Sequence, residues 1–134
     1  MFDYQVIADC ELRATFHERL GPCLELGIRS NWFRSLPYSA LDRLRIAIDG
    51  QPVPEAATLV LCDGVAIPLE DLSAVVDRFW FVLDVLKVLV ARPEDCATGT
   101  HRVSVSYEMR ITDLVLSGHA FTEPAHAEAV MVLR

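Results

Sequence analysis

The pattern of apolar and polar residues is most regular over residues 102–111. Every second residue of this segment is apolar, and the residues between them are polar or charged. Successive side chains of a β-strand point to opposite faces, so a period of two predicts a strand with one buried face. Two shorter segments, 24–29 and 43–48, alternate in the same way and predict two further strands.

Two Asp-Gly pairs predict tight turns between strands. Aspartate and glycine tolerate positive φ angles, which the two-residue turns of β-hairpins require. Asp49-Gly50 follows the second of the short alternating segments, and Asp63-Gly64 separates β-compatible runs at 58–61 and 65–67. The sequence therefore predicts two hairpins in the middle of the chain.

Residues 69–90 fit both a helix and a strand. Their apolar residues have helical spacing, whereas their content of valine, phenylalanine and tryptophan favours a strand. We expect a short helical turn over 69–76 and a strand over 79–91, ended by Arg92-Pro93. Short β-compatible runs at 4–8 and 129–133 each fit an edge strand.

The number of strands and the chain length indicate the fold class. About seven or eight short strands separated by turn residues are typical of an antiparallel β-sandwich or a small barrel. At 134 residues and 15.0 kDa the chain has the usual size of one domain. The sequence thus predicts a single all-β domain over residues 1–134 with one short helical turn. Because 52% of the residues are hydrophobic and a small domain cannot bury all of its surface, we expect some apolar surface to contact a partner.

The charge argues against several classes of partner. The net charge is −7 and the pI about 4.9, whereas binding to nucleic acid or anionic membranes needs clustered lysines and arginines. No charged leader with an apolar run opens the sequence, and the longest apolar run, 79–90, contains Asp84 and Lys87. We therefore expect a cytoplasmic protein with no membrane segment. The four cysteines include no C-x-x-C pair and are predicted to be free thiols.

The candidates for catalysis or metal binding are weak. His119 and His126, with Glu123 and Glu128, are the one cluster of metal-ligating residue types, but the H-x6-H spacing fits no ordinary ligand pattern and Pro124 lies inside it. We predict a solvated loop there. No segment has the glycines of a nucleophile elbow or of a phosphate-binding loop. The sequence predicts neither a catalytic residue nor a metal site in this chain.

Residues 31–39 are unusual in composition. They place three aromatic residues and an arginine between two predicted strands. Tryptophan, tyrosine and arginine dominate interface hot spots because each buries a large area while keeping a polar group. The candidates for contact with a partner are Trp32, Phe33, Arg34, Pro37, Tyr38 and Ser39. The alternative is that Trp32 and Phe33 cover the core of the barrel, and both roles can hold.

These residues also resemble a known family. Residues 33–41, followed by the alternating strand and Asp49-Gly50, resemble the signature of the small (β) subunit of bacterial C-glycoside deglycosidases. The family pattern is an aromatic residue, Arg, any residue, an aliphatic residue, Pro, any residue and Ser, then a strand ending in Asp-Gly. Gly99-Thr100-His101 and the following Val103 resemble the family's Gly-x-His-x-Val strand start.

Trp80 with Asp84 falls where the family has a tryptophan-centred segment. The family has a more polar, turn-like break after this tryptophan, where the present chain has the apolar residues 82–85. The tail after Leu114 matches weakly. The resemblance otherwise covers nearly the whole chain.

The resemblance implies a compact antiparallel β domain that binds a large α subunit. That partner is expected to be a sugar-isomerase-like TIM barrel holding a divalent metal, usually Mn²⁺. The substrates implied are 3-oxo sugars joined by a carbon–carbon bond to an aromatic, flavonoid-type aglycone. This chain would then be the non-catalytic subunit of a heteromer, with Trp32, Arg34 and Tyr38 as the first candidates for the subunit contact.

Two other classes of function compete with this interpretation. One is a stand-alone β-sandwich module that binds a carbohydrate or a plant phenolic through exposed aromatic residues. The other is a small β-barrel enzyme that uses His119 or His126. A gene for a sugar-isomerase-like barrel beside the gene for this chain would favour the heteromer.

Overall fold

The alternating segments of the sequence form strands, as predicted. The protein's structure is a computed structural model that describes residues 6–9, 11–116 and 119–134, and the side chains of these except at 112–116 and 119–120. The strands are β1 (Glu11–His17), β2 (Gly21–Ile28), β3 (Leu36–Pro37), β4 (Leu41–Ile48), β5 (Gln51–Pro52), β6 (Thr58–Cys62), β7 (Val65–Pro68), β8 (Phe79–Trp80), β9 (Leu86–Ala91), β10 (Gly99–Leu116) and β11 (His119–Leu133).

Nine of these strands form one curled sheet, a half-barrel, in the order β5-β4-β10-β11-β1-β2-β9-β6-β7. Strands β3 and β8 pair separately as a small two-stranded ribbon. The predicted all-β class is confirmed. Of the two predicted architectures, a single curled sheet is closer to the small barrel than to a sandwich of two sheets.

A short parallel pairing joins the two halves of the sheet. Neighbouring strands in the described residues are antiparallel except for β1 and β11, which pair at Glu11 with Val132 and Leu12 with Leu133. The Arg134 guanidinium lies 3.5 Å from the Glu11 carboxylate beside this pairing. The N-terminal and C-terminal parts of the chain therefore meet in the middle of the sheet.

The core lies on the concave side of the sheet. Alternate residues of β10 are buried there, as the period of two predicts, and residues of β2, β4, β9 and β11 face them. These core residues include Leu24, Leu26, Ile28, Leu44, Ile46, Ile48, Val88, Val90, Val103, Val105, Tyr107, Met109, Ile111, Met131 and Leu133.

Helical turns fill the gap between the two edges of the sheet. The 3-10 turn Leu69–Ala74 contacts β4 near one edge and β6 and β7 at the other, and its Leu72 is 1% exposed. The helical turn predicted over 69–76 is thereby confirmed, with an end two residues earlier. No helix in the described residues is long and apolar enough to cross a membrane.

The predicted turns and thiols are also present. Asp49, Gly50, Asp63 and Gly64 all have positive φ, as two-residue hairpin turns require. Cys23, Cys62 and Cys96 are free and buried, and Cys10 lies outside the described residues.

The strand predicted over 79–91 is wrong in its middle. Strand β8 ends at Trp80, residues 81–84 form a turn in which the Asp84 N–H donates to the Phe81 carbonyl (2.9 Å), and β9 begins at Leu86. The Trp80 indole N–H donates to the Asp84 carbonyl at 3.0 Å. Two hydrogen bonds thus hold an apolar segment in a turn, against its strand propensity.

The solvated loop predicted around His126 is also wrong. Residues His119–Leu133 form β11, in which the odd-numbered residues from Phe121 face the core and the even-numbered residues are mostly exposed. Several inward residues are alanines, whose weak hydrophobicity hides the alternation. His126 is exposed, and the side chain of His119 lies outside the described residues.

The terminal edge strands differ from expectation. Residues 129–133 are part of β11 and lie in the interior of the sheet order. Of residues 4–8, the first two lie outside the described residues, and Ile7 makes only an isolated bridge to Ile28. Strand β1 gave no signal in the sequence because Leu12 is its one fully buried residue.

Among the glycines that the structure describes, Gly27 is the one where the space for a side chain is already occupied. It is buried in β2, and a Cβ atom placed on it would lie 2.5 Å from Cγ1 of Val85. Glycine is therefore required by packing here, whereas the glycines at the turns are required by their positive φ.

We predict that Gly27→Ala lowers the free energy of unfolding by about 1–3 kcal/mol, because the new methyl overpacks a filled site. Urea unfolding followed by circular dichroism measures the loss. The control is Gly27→Ala with Val85→Ala, which removes the clashing methyl and is expected to recover part of the stability. A double variant less stable than Gly27→Ala by the full cost of Val85→Ala would contradict the overlap.

Candidate partner-binding surface

Trp32 lies in the core rather than on the surface. It is 9% exposed, and its ring lies 4.8 Å from the Phe33 ring and 6.1 Å from the Phe121 ring between centroids. The Ser30 hydroxyl accepts a hydrogen bond from the Trp32 backbone N–H at 3.1 Å. Trp32 therefore covers one end of the half-barrel, as the alternative interpretation proposed for it.

Polar contacts fix the segment before Trp32 to the sheet. Asn31 is fully buried, and its amide nitrogen donates to the carbonyls of Glu123 (3.3 Å) and Pro124 (3.1 Å) on β11. The Tyr107 hydroxyl donates to the Arg29 carbonyl at 2.5 Å. Residues 29–32 are thus held against β10 and β11.

Tyr38 is also buried, at 6% exposure. Its hydroxyl donates to Oδ1 of Asp63 at 3.3 Å, and burial raises the pKa of the phenol. Its backbone N–H donates to the Arg78 carbonyl at 3.0 Å. The side chain therefore supports the core from the end of the barrel that Trp32 covers.

Residues 36–39 pair with residues 75–80. Pro37 lies opposite Phe79 in the ribbon, and the Ser39 N–H donates to the Val75 carbonyl at 3.0 Å. The Ser39 carbonyl accepts from the Arg110 guanidinium at 3.1 Å. The side chains of Pro37 and Ser39 are half-buried.

Phe33 and Arg34 are the predicted contact residues that are exposed. Phe33 is 55% exposed, and the Arg34 guanidinium carbon lies 5.4 Å from the centroid of its ring. This is the geometry of a cation–π pair at a surface. Of the six predicted residues, these two present side chains that a partner can reach directly.

A second exposed apolar segment lies beside Phe33, and sequence reasoning missed it. The exposures are 64% for Val76, 45% for Phe79, 59% for Phe81 and 83% for Leu83. The Ser35 hydroxyl accepts from the Val82 N–H at 3.0 Å, so this segment is bonded to the residues after Phe33. The available signal was the run of apolar residues from Phe79 to Leu83. We call Phe33, Val76, Phe79, Phe81 and Leu83 the apolar ribbon surface.

An open recess of about 350 Å³ lies next to this surface. It is lined by Tyr38, Asp63, Trp80 and Lys87, among others. Tyr38 and Trp80 are 6% and 2% exposed, so the recess offers little aromatic surface to a ligand.

The opposite end of the sheet carries a hydrogen-bonded cluster around His101. Nδ1 of His101 lies 2.6 Å from Oδ2 of Asp49, and Nε2 lies 2.6 Å from the Ala97 carbonyl and 3.7 Å from Sγ of Cys96. The Arg92 guanidinium donates twice to the Cys96 carbonyl, at 2.7 and 3.0 Å. We call these residues the His101 clamp, since they join the loop after β9 to the Asp49-Gly50 turn.

Both nitrogens of His101 face acceptors, which favours the imidazolium. The hydrogen bond to Asp49, and then that to the Ala97 carbonyl, raises the pKa of His101. The hydrogen bond to His101 lowers the pKa of Asp49, and the hydrogen bond from the Arg102 N–H lowers it further. The two shifts therefore favour an imidazolium–carboxylate pair between His101 and Asp49.

The clamp contains a cysteine, a histidine and an aspartate, but it is not arranged as a nucleophilic triad. Burial raises the pKa of the Cys96 thiol, and a reactive cysteine needs the opposite shift. Nε2 of His101 is bonded to a carbonyl and cannot act as a base toward the thiol. The Asp-Gly and Gly-x-His positions of the family pattern thus meet in a structural contact.

The described side chains offer no metal centre. No three His, Cys, Asp or Glu residues among them lie close enough together to hold a metal ion.

Comparisons with known proteins identify relatives. The chain matches the family described as C-glycoside deglycosidase beta subunit over residues 2–112. It is 27% identical over 108 residues to a C-glycoside deglycosidase beta subunit of Microbacterium trichothecenolyticum, covering 81% of this chain and 79% of that protein. It is 31% identical over 91 residues to a 3'-dehydrocarminate deglycosidase beta subunit of Microbacterium sp, covering 68% of each.

We predict that the His101 clamp stabilises the fold most strongly between roughly pH 4 and 6.5, the ordinary pKa values of aspartate and histidine. A raised histidine pKa contributes stability that is lost as the pH rises through it, and a lowered aspartate pKa contributes stability that is lost as the pH falls through it. His101→Gln should therefore lose more stability relative to the unchanged chain at about pH 5.5 than at about pH 9. Urea unfolding at both values tests this, with the exposed His126→Gln as control. An equal loss at both pH values would show that the charge of His101 contributes nothing.

We predict that substitution of Tyr38 by alanine destabilises the fold more than substitution of Arg34 by alanine. Tyr38→Ala should lower the free energy of unfolding by about 3 kcal/mol, as expected for a buried aromatic side chain. Tyr38→Phe keeps the ring and should cost less than about 1 kcal/mol. Arg34→Ala should also cost less than about 1 kcal/mol. Thermal and urea unfolding of the isolated chain measure all three, and a Tyr38→Ala variant as stable as the unchanged chain would place Tyr38 outside the core.

Proposed function

Because the chain belongs to the C-glycoside deglycosidase beta subunit family, we propose that it is the non-catalytic small subunit of a heteromeric enzyme that removes the sugar from C-glycosides. The match to the family over residues 2–112 is the observation that carries this proposal. The name of the Microbacterium sp relative specifies a 3'-dehydro substrate. That name supports a 3-oxo sugar as part of the substrate here. We propose an aromatic, flavonoid-type aglycone because the resemblance of residues 33–50 to the family implies it.

The chemistry of such a substrate follows from the ketone. A carbonyl at C3 of the sugar acidifies the proton on C2, so a general base can remove it. The electron pair left on C2 forms a C1–C2 double bond while the bond from C1 to the aryl carbon breaks. The aryl carbon keeps the pair of that bond and takes up a proton. The reaction is an elimination, which makes the enzyme a lyase and requires no oxidant.

We place this chemistry in a partner, a large sugar-isomerase-like TIM-barrel α subunit with a divalent metal, Mn²⁺. The described residues of the present chain do not fit a metal, so no step of the proposal runs through a metal held by it. The acid–base groups with resolved pKa shifts are also unsuited to catalysis. His101 and Asp49 are paired with each other, and Cys23, Cys62, Cys96 and Tyr38 have raised pKa values.

The contribution of this chain is therefore assembly. Its curled sheet is a firm support because both ends of the core are covered by hydrogen-bonded loops. We expect it to support the barrel of the partner and to cover part of the substrate pocket. The buried free thiols Cys23, Cys62 and Cys96 suit the reducing conditions of the cytoplasm.

A stand-alone carbohydrate-binding module is less well supported by the positions of the aromatic residues. Such modules need exposed tryptophan or tyrosine rings on which a sugar can stack. Here Trp32, Tyr38 and Trp80 are 9%, 6% and 2% exposed. Calorimetric titration with glucose and with a flavone would detect such a module.

We predict that the purified chain neither binds Mn²⁺ tightly nor releases aglycone from a 3-oxo C-glucoside, because its described residues offer no group of ligands for the metal. Adding the purified α subunit from the same source should give release of the aglycone, and a chelator should abolish it. Liquid chromatography of the aglycone and calorimetric titration with Mn²⁺ are the measurements. Release of aglycone by this chain alone would overturn the proposal.

A further inference from the structure

We propose that the apolar ribbon surface is the site at which this chain docks onto the large subunit. This inference rests on the proposed function, since it assumes that a large subunit exists. Of the large apolar side chains exposed in the described residues, five lie on this surface and three lie elsewhere, Phe16, Val65 and Val130. Exposed apolar side chains scattered singly are ordinary, whereas a group of them marks an interaction site.

Hydrogen bonds bring together the two segments that carry the five side chains. Residues 33–39 and 75–84 run side by side, joined by the β3–β8 pairing and by the bond from the Val82 N–H to Ser35. The turn at 81–84 is closed by its own bond between Asp84 and Phe81 and by the Trp80 indole. Its tip residue Leu83 is 83% exposed. The surface is therefore held in place before any partner binds, which lowers the entropic cost of docking.

The size of the surface suits a protein partner. An aromatic side chain can bury about 150–250 Å². At 55%, 45% and 59% exposure, the three phenylalanines alone offer about 300 Å² on that basis. Leu83 and Val76 bring the total to roughly 500 Å², compared with about 800 Å² per partner in a stable interface. The ribbon thus supplies the apolar centre of an interface, and surrounding polar residues supply the rim.

The charges of the surface distinguish the large subunit from a second copy of this chain. The two segments carry two arginines, Arg34 and Arg78, and two aspartates, Asp77 and Asp84, so this part is neutral in a chain of net charge −7. Pairing two copies would bring together two chains of charge −7, which is opposed by repulsion. The surface fits a different protein that presents an apolar patch with acidic and basic groups at its edge.

The test compares glutamate substitutions of similar exposure at two places. Phe81→Glu changes a 59% exposed ring on the ribbon, and Phe16→Glu changes a 69% exposed ring on β1. Both add one negative charge, so Phe16→Glu controls for net charge. Binding to the α subunit from the same source is measured by biolayer interferometry, and folding by thermal unfolding. The isolated chain is also examined by analytical ultracentrifugation.

We expect Phe81→Glu to weaken binding by at least about tenfold, and Phe81→Glu with Leu83→Glu by at least about a hundredfold, as for central interface residues. Phe16→Glu should change the dissociation constant less than about threefold. All three variants should keep the melting temperature of the unchanged chain, since the substituted side chains are exposed.

The outcomes separate this inference from the proposed function. If the unchanged chain does not bind the α subunit, the proposed function fails and the docking surface fails with it. If the unchanged chain binds and the ribbon variants bind equally well, only the docking surface is overturned. If Phe16→Glu weakens binding and the ribbon variants do not, the interface includes β1 instead of the ribbon. A dimer of the isolated chain that dissociates in the ribbon variants would show that a second copy is the occupant.

Discussion

Apolar side chains of β2, β4, β9, β10 and β11 meet on the concave side of one curled sheet, and they leave water only if both open ends of that sheet are covered. In a closed barrel, pairing of the two edge strands would also seal the side of the core. This sheet does not close, and the 3-10 turn Leu69–Ala74 fills the gap between its edges. Burial of the concave face thus determines where the loops must lie, and most residues of the family pattern serve that requirement.

The two ends are covered by different physical means. At one end, the His101 clamp holds the loop after β9 through an ion pair and main-chain acceptors. At the other end, Trp32, Tyr38 and Trp80 cover the core with aromatic rings. The Trp32 N–H donates to the Ser30 hydroxyl, the Tyr38 hydroxyl to Asp63, and the Trp80 indole to the Asp84 carbonyl. The apolar ribbon surface is the outer side of this second cover. Its exposed phenylalanines follow from the pairing that buries Trp80.

The period of two was sufficient to predict the strands with large apolar residues, such as β10, and the φ requirement of Asp-Gly turns was sufficient to predict two hairpins. The period of two did not predict β11, where alanines face the core, or β1, where one face is hardly buried. The turn at 81–84 could not be predicted because hydrogen bonds from the Trp80 indole and to the Ser35 hydroxyl stabilise it. The pattern of apolar residues reports neither bond.

The candidate site was predicted only in part, because the sequence shows composition but does not show which side chains are exposed. Composition identified residues 32–39 as unusual, but exposure depends on the sheet beneath them, so Phe33 and Arg34 face solvent while Trp32 and Tyr38 do not.

The pairing of strand β1 with the end of β11 has a consequence for the order of folding. The two halves of the sheet join only where Glu11 and Leu12 pair with Val132 and Leu133. This join links strands that are far apart in sequence, and long-range pairing of this kind forms slowly, so the facing edges of β1 and β11 stay unpaired until late in folding.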